Sequence, residues 1–200
     1  MPRQKRGLFE QAYRKAEGEG VARLCQDEAG LFQTVPYPGI TWAPREHAAR
    51  QPHEYLRDGT AKLLTVLRPA TGAVRVRGVP RCPKAILHLW LKQEVEAVLA
   101  TLPDPAPVAD PDTNRAQWTR WQAGPRVRIS LLAELSRLRL LLVWDNLVGH
   151  HTPDLVLWLF ARGVMVLYTP LGGSWLNMAE SIQRILKQRA LDGQHPQTPR

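Results

Sequence analysis

The feature that most constrains the fold is an unbroken apolar segment, Arg139–Trp144 (RLLLVW), followed at once by Asp145 and Asn146. A strand that is apolar on both faces is typical of the centre of a sheet covered by helices on both sides. Thr152-Pro153 then marks a helix start, and Val164–Tyr168 is a second short apolar strand. This β-α-β order predicts an α/β fold.

The rest of the chain completes the predicted sheet and its helical cover. Period-two and turn patterns predict strands at Val21–Gln26 and Ile40–Trp42 and a hairpin over residues 61–79. Helical spacing predicts helices at Lys84–Ala100, Asn114–Gln122 and Trp175–Ala190. Antiparallel strands followed by β-α-β-α predict a mixed β-sheet flanked by helices.

The chain divides into one domain with two short tails. Residues 1–20 are basic and then Gly/Glu-rich, which indicates an N-terminal tail. Residues 21–190 hold all the predicted elements, with a Pro-rich linker or insertion over 101–125. Residues 191–200 are predicted to be a C-terminal tail.

Charge and cysteine content restrict the partners and the compartment. The 200 residues include 27 Lys and Arg against 18 Asp and Glu, a net charge of +9, and only six of the basic residues are lysine. Arginine suits bidentate phosphate contacts, so a polyanion such as DNA is one interpretation; a codon bias towards arginine is the other. Cys25 and Cys82 are too few for a disulfide scaffold, and no apolar run is long enough to cross a membrane, so a cytoplasmic protein is expected.

Three acidic residues are placed where this fold would bring them together. Asp27 is expected to close the first strand, Asp145 closes the central strand, and Glu180 lies in the first turns of the last helix. Strand ends in α/β sheets collect at one edge, and oxygen ligands suit Mg²⁺ or Mn²⁺. Two such cations can clamp the attacking and leaving oxygens in phosphoryl transfer.

Each acid also has a structural interpretation. Asp27 could be a turn residue, with Glu28 an equally acidic neighbour, and Asp145 could belong to an ordinary strand-to-loop turn. Glu180 could be the fourth residue of a capping box that starts at Asn177. Trp175 could stack on a base or pack on the core. Further candidates for supporting the metal site or contacting DNA are Glu28, Asn146, His150, His151, Asn177, Arg75 and Arg77.

The flanking residues and spacing carry a resemblance. Asp145-Asn146 ends a hydrophobic strand, and 34 residues separate Asp145 from Glu180, which follows Thr169-Pro170 and Leu176-Asn177. The first acid precedes a Gly-Xaa-Thr-Trp segment at residues 39–42. In these respects the chain resembles DDE transposases of bacterial insertion sequences, in the mariner-like superfamily.

The resemblance implies an RNase H-like catalytic domain that cleaves and joins DNA at insertion-sequence ends. It implies that Asp27, Asp145 and Glu180 are the catalytic residues and hold two Mg²⁺ or Mn²⁺. It further implies double-stranded DNA as the partner, association with the nucleoid, and a homodimer, although the sequence shows no dimer motif.

The chain also departs from the family pattern. Members usually carry a helix-turn-helix region before the first strand and an extension after the last helix, and neither is seen here. The sequence is therefore expected to be truncated. Two alternatives stay open: a catalytically inactive DNA-binding remnant of a transposase, and another RNase H-like nuclease.

Overall fold

The computed structural model describes residues 2–35, 37, 42, 45–47, 59–103, 110–125 and 130–196. Its strands are β1 (Ala22–Gln33), β2 (Thr60–Arg68), β3 (Ala73–Val79), β4 (Leu140–Trp144) and β5 (Val164–Tyr168). Its α-helices are α1 (Pro2–Lys15), α2 (Lys84–Thr101), α3 (Pro111–Trp121), α4 (Pro153–Phe160) and α5 (Met178–Ala190). Within these ranges, no helix combines the length and the apolarity needed to cross a bilayer.

The five strands form one mixed sheet in the order β3-β2-β1-β4-β5. β1 is antiparallel to β2, and β2 to β3, whereas β1 and β4, and β4 and β5, are parallel. The predicted hairpin is confirmed as β2 and β3, and the predicted mixed sheet is confirmed as well.

Both faces of the sheet are covered, which explains why β4 is apolar throughout. Leu140, Leu142 and Trp144 point into a core formed with α2 and α4. Leu141 and Val143 point the other way, into a second core formed with α1, α3 and α5. All five side chains are buried, and each stabilises the fold by roughly 1.5–3 kcal/mol relative to an exposed position.

The N-terminal segment differs from the predicted tail. Most of residues 1–20 forms α1, which packs on the second core with Phe9 and Ala12 fully buried. The Tyr13 hydroxyl donates a hydrogen bond to the carbonyl of Leu176, 2.8 Å away, just before α5. The sequence indicated a tail because charged residues dominate it, but a few apolar side chains suffice to bury one face of the helix.

The first strand is also longer than predicted. β4 pairs with β1 only as far as Cys25, but β2 continues to pair with β1 as far as Gln33, across an irregularity between Ala29 and Phe32. Asp27 therefore lies inside the strand rather than at its end. The predicted strand at Ile40–Trp42 falls outside the described residues except for Trp42.

The Pro-rich segment contributes to the core. The predicted helix Asn114–Gln122 is confirmed as α3, which begins earlier because Asp110 caps it by accepting hydrogen bonds from two backbone amides. Trp118 and Trp121 are buried against the sheet. Of the segment predicted to be a linker or insertion, residues 110–125 thus carry part of the core.

Candidate active site

The pairing of β1 with β4 brings two of the predicted acids side by side. Cys25 pairs with Val143 in the last pair of this parallel ladder, and both side chains belong to the core that α5 covers. Asp27 lies two residues after Cys25, and Asp145 lies two residues after Val143, directly behind the end of β4. Alternation places both on the same face, and adjacent strands lie roughly 4.8 Å apart.

The third acid is placed by the start of α5. The buried Asn177 caps this helix, because its Oδ1 accepts a hydrogen bond from the amide of Ala179 at 3.2 Å. Its Nδ2 donates to the carbonyl of Gln26 at 2.7 Å, in β1 beside Asp27. One side chain thus ties the first turn of α5, which carries Glu180, to the strand that carries Asp27.

Glu180 is exposed, and its carboxylate forms no hydrogen bond or ion pair with any residue that the structure describes. The cap of α5 is the side chain of Asn177, which bonds the amide of Ala179. The capping-box interpretation, in which Glu180 bonds back to the helix start, therefore does not describe this side chain.

The charges of Asp145 and Glu180 both act on the pKa of Asp27. Burial raises the pKa of Asp27 to about 7, and the carboxylates of Asp145 and Glu180 add to the shift, although the amide of Glu28 partly opposes it. Burial also acts to raise the pKa of Asp145, but His150 and the amide of Leu147 outweigh it, so that this pKa lies below its usual value.

The donor chemistry fits hard divalent cations. Carboxylate oxygens are the ligands that Mg²⁺ and Mn²⁺ prefer, and a cation would relieve the repulsion that raises the pKa of Asp27. Within the described residues, no three His, Cys, Asp or Glu side chains already have the arrangement of a formed metal site. The charges of Asp145 and Glu180 thus reach Asp27, which lies on the same face of the sheet as Asp145. Bound cations would have to draw the three carboxylates closer together.

His150 supports Asp145 from inside the fold. Its Nδ1 lies 2.8 Å from Oδ1 of Asp145, a short contact without the alignment of a hydrogen bond. The imidazole is fully buried and stacks on Trp144 with ring centres 4.3 Å apart. The hydroxyl of Tyr168 donates to the His150 carbonyl at 2.6 Å. His150 therefore contacts Asp145 from the buried side of the fold.

Two further candidates lie close to this cluster. The side-chain amide of Asn146 donates to the carbonyl of Thr169, which links the ends of β4 and β5. The ring of His151 lies against Tyr168, with centres 4.4 Å apart. Both side chains thus hold the loops around Asp145.

The side chains of Glu28, Arg75 and Arg77 do not share the face of the sheet that carries Asp27 and Asp145, although the amide of Glu28 donates to the Asp27 carboxylate. These side chains lie on the opposite face of the sheet, because their partners in β2, Leu64 and Val66, point into the core formed with α2 and α4. Glu28 pairs with Lys62 at 3.0 Å, and Arg75 pairs with Glu94 of α2 at 3.1 Å. The contact of Arg75 and Arg77 with DNA stays a prediction, as does a supporting role for Glu28, whose charge adds to the rise in the pKa of Asp27.

Sequence reasoning missed Gln26. This residue is fully buried and accepts a hydrogen bond from the indole N–H of Trp144, while its carbonyl accepts one from Asn177. The available signal was a polar residue, Gln26, at the end of the apolar-leaning run that begins at Val21. The structure also decides the position of Trp175, which is 61% exposed rather than packed on the core.

The strand order and the helices on both faces define an RNase H-like α/β fold, of the kind found in transposases. Solved structures of the Mos1 transposase share it: a paired-end complex with the left transposon end (TM-score 0.59, 12% identity), the strand transfer complex (0.60, 12%) and a mariner paired-end complex with Mn (0.57, 11%). The matches cover 98%, 99% and 98% of this chain but 49% of each transposase chain. No family model and no curated protein sequence matches the chain.

Proposed function

We propose that the chain is the catalytic domain of a DDE transposase of the bacterial insertion-sequence type, with residues 21–190 as its core. The observation that carries this proposal is the convergence of Asp27, Asp145 and Glu180 on one face of an RNase H-like sheet, although 152 residues separate the first from the last. A carboxyl group whose pKa is raised by burial and by neighbouring carboxylates, as that of Asp27 is, recurs at sites that bind cations or carry out catalysis.

The proposed reaction has two steps. Water attacks a phosphodiester at the end of the element, the bond to the 3′ oxygen breaks, and a 3′-hydroxyl is left. That hydroxyl then attacks a phosphodiester of the target DNA, and a new phosphodiester replaces the one that breaks. Both steps need positioning and charge stabilisation more than covalent chemistry by the protein.

The three acids would hold two Mg²⁺ or Mn²⁺, which supply charge stabilisation at the attacking and leaving oxygens when bound. Asp145 is ready for this role because its low pKa keeps it ionised. Asp27 would release a proton as it becomes a ligand. Glu180 is exposed in the first turn of α5 and would be accessible to a cation bound with DNA.

DNA is the proposed partner for two reasons. The chain carries a net charge of +9, mostly through arginine, which suits the phosphate backbone. In addition, the structures that share its fold are complexes of a transposase with transposon ends or in strand transfer. The paired-end complexes also support a homodimer as the active species.

The test is nicking of supercoiled plasmid in the presence of Mg²⁺ or Mn²⁺. Asp145→Asn and Glu180→Gln should each reduce the rate by at least about 100-fold. Asp154→Asn and Glu134→Gln make the same chemical changes at exposed positions outside the site, and both should nick like the wild type.

Two results would contradict the proposal. DNA binding that weakens with salt, without nicking in either cation, would instead favour an inactive DNA-binding remnant. Cleavage of RNA–DNA hybrids without plasmid nicking would favour another RNase H-like nuclease.

A further inference from the structure

Two buried polar side chains, one in β2 and one in α5, make no hydrogen bond. The hydroxyl of Thr65 and the amide nitrogen Nε2 of Gln183 are both buried, and neither bonds any residue that the structure describes. Such groups are rare in folded proteins, because a buried donor without an acceptor has lost its bonds to water without replacing them. Two of them indicate a state of the protein in which an acceptor reaches both.

The register of the sheet places Thr65 beside Asp27. These two residues are direct partners in the antiparallel ladder of β1 and β2. Direct partners point to the same face, and their Cβ atoms lie about 4.5–5.5 Å apart. The pair two positions away, Cys25 and Leu67, belongs to the core that α5 covers. The Thr65 hydroxyl and the Asp27 carboxylate therefore lie within reach of each other under α5.

α5 carries Gln183 to the same part of the sheet. This helix packs on both β1 and β2, and its residue Ala179 is fully buried in the core on that face. Gln183 follows Ala179 by one helical turn and is only 7% exposed, so its side chain is turned towards the strands rather than to solvent. The charge of Glu180, which lies between them in sequence, acts on Asp27, so the start of α5 is close to that carboxylate.

The carboxylate of Asp27 has the acceptor capacity that these two donors lack. Its Oδ1 accepts one hydrogen bond, from the amide of Glu28 at 2.9 Å, and it makes no other with the described part of the chain. A carboxylate offers about four lone-pair sites, so it can bind a cation and still accept from two donors. Carboxylates that ligate metals are commonly held in this way, because the added hydrogen bonds fix their orientation.

We propose that Thr65 and Gln183 are positioning residues for Asp27, which donate hydrogen bonds to its carboxylate when that carboxylate holds a cation. This inference rests on the proposed function, since it takes Asp27 as a ligand. The two side chains act through Asp27 and are not ligands themselves. Because their donors are satisfied only in the cation-bound state, they favour that state over the cation-free one.

The test compares Mn²⁺ binding with stability in the same variants of the full chain. Thr65→Val and Gln183→Met remove the donor and nearly keep the shape, and each should weaken Mn²⁺ binding about tenfold or more in calorimetry. In EDTA, each should unfold at the same urea concentration as the wild type or a higher one, because an apolar group replaces an unpartnered polar one. Thr65→Ser keeps the hydroxyl and should retain the affinity. Gln188→Met, the same change at an exposed position of α5, is the matched control.

Two results would overturn this inference and leave the proposed function standing. The first is an Mn²⁺ affinity in Thr65→Val and Gln183→Met equal to that of Gln188→Met. The second is unfolding of Thr65→Val or Gln183→Met at a lower urea concentration in EDTA, whatever its affinity, because the donor would then already be bonded in the cation-free protein. A wild-type chain that neither binds Mn²⁺ nor nicks plasmid would contradict the proposed function itself, and this inference would fall with it.

Discussion

Replacing Asp27 with asparagine tests whether burial and the neighbouring carboxylates keep Asp27 protonated in the folded protein. Burial, followed by the charges of Asp145 and Glu180, raises the pKa of Asp27 from 3.8 to about 7. The folded protein therefore holds a proton that the unfolded chain has already released between those two pH values. Stability from this proton is fully present below about pH 4 and is lost as the pH rises through about 7.

The size of the effect follows from the shift. A tenfold change in an equilibrium constant corresponds to about 1.4 kcal/mol, so the rise of the pKa from 3.8 to about 7 makes the ionised folded form up to about 4 kcal/mol less stable. Asparagine has the shape of the protonated acid and cannot ionise. We therefore expect Asp27→Asn to match the wild type near pH 4 and to exceed its free energy of unfolding by up to about 4 kcal/mol near pH 8.

The assay is urea unfolding of both proteins in EDTA at several pH values between about 4 and 8. Other groups titrate in both proteins, so the informative quantity is the difference in unfolding free energy between them. Asp154→Asn, an exposed acid-to-amide change on α4, controls for the loss of one negative charge. Addition of Mg²⁺ near pH 8 should stabilise the wild type more than Asp27→Asn, because only the wild type keeps all three ligands.

A constant difference across the pH range would refute the reasoning, since it would mean that Asp27 does not titrate differently in the folded and unfolded states. A variant that is less stable than the wild type near pH 8 would refute it as well. In that case the carboxylate would be stabilised by contacts that outweigh its burial and its acidic neighbours.

Three further substitutions test other parts of the fold, each by chemical denaturation. Phe9→Ala should lower the free energy of unfolding by about 3–5 kcal/mol, because this side chain of α1 is fully buried against the sheet. In a disordered tail the same substitution would cause almost no change. Asn177→Ala should cost about 1–3 kcal/mol and slow plasmid nicking, because the cap of α5 and its bond to β1 are both lost. A variant as stable and as active as the wild type would contradict the role of Asn177 in docking α5. Gly163→Ala should cost at least about 2 kcal/mol, because a Cβ at φ 72° would lie 1.9 Å from the carbonyl oxygen of Arg137, whereas Gly7→Ala, in open space on α1, should be neutral or stabilising.

The sequence predicts the centre of this fold well because local pattern and tertiary environment agree there. A strand that is apolar on both faces can be stable only inside a sheet covered on both sides, and β4 occupies that position. The hairpin of β2 and β3 is predicted for a similar reason, since a turn and two short β-rich runs are both local signals.

Elements that depend on distant partners are predicted less well. The acidic pair at Asp27 and Glu28 looks like the end of a strand, yet β1 continues because β2 pairs with it beyond the point where β4 stops. Nothing near residue 27 encodes that partner. The same holds for the ion pair of Arg75 with Glu94, because nothing near residue 75 encodes the position of α2.

The candidate site contains residues whose position follows from local pattern and one whose position depends on a distant partner. Strand order and alternation are enough to predict that Asp27 and Asp145 become neighbours, because register transmits position along a ladder. No such rule places Glu180, which lies on a helix that could be docked in many ways. Its position is set by Asn177, which bonds a carbonyl of β1 across 151 residues of sequence. Asn177 therefore links the position of Glu180 to β1, and a substitution at Asn177 should displace Glu180 while β1 and β4 keep their pairing.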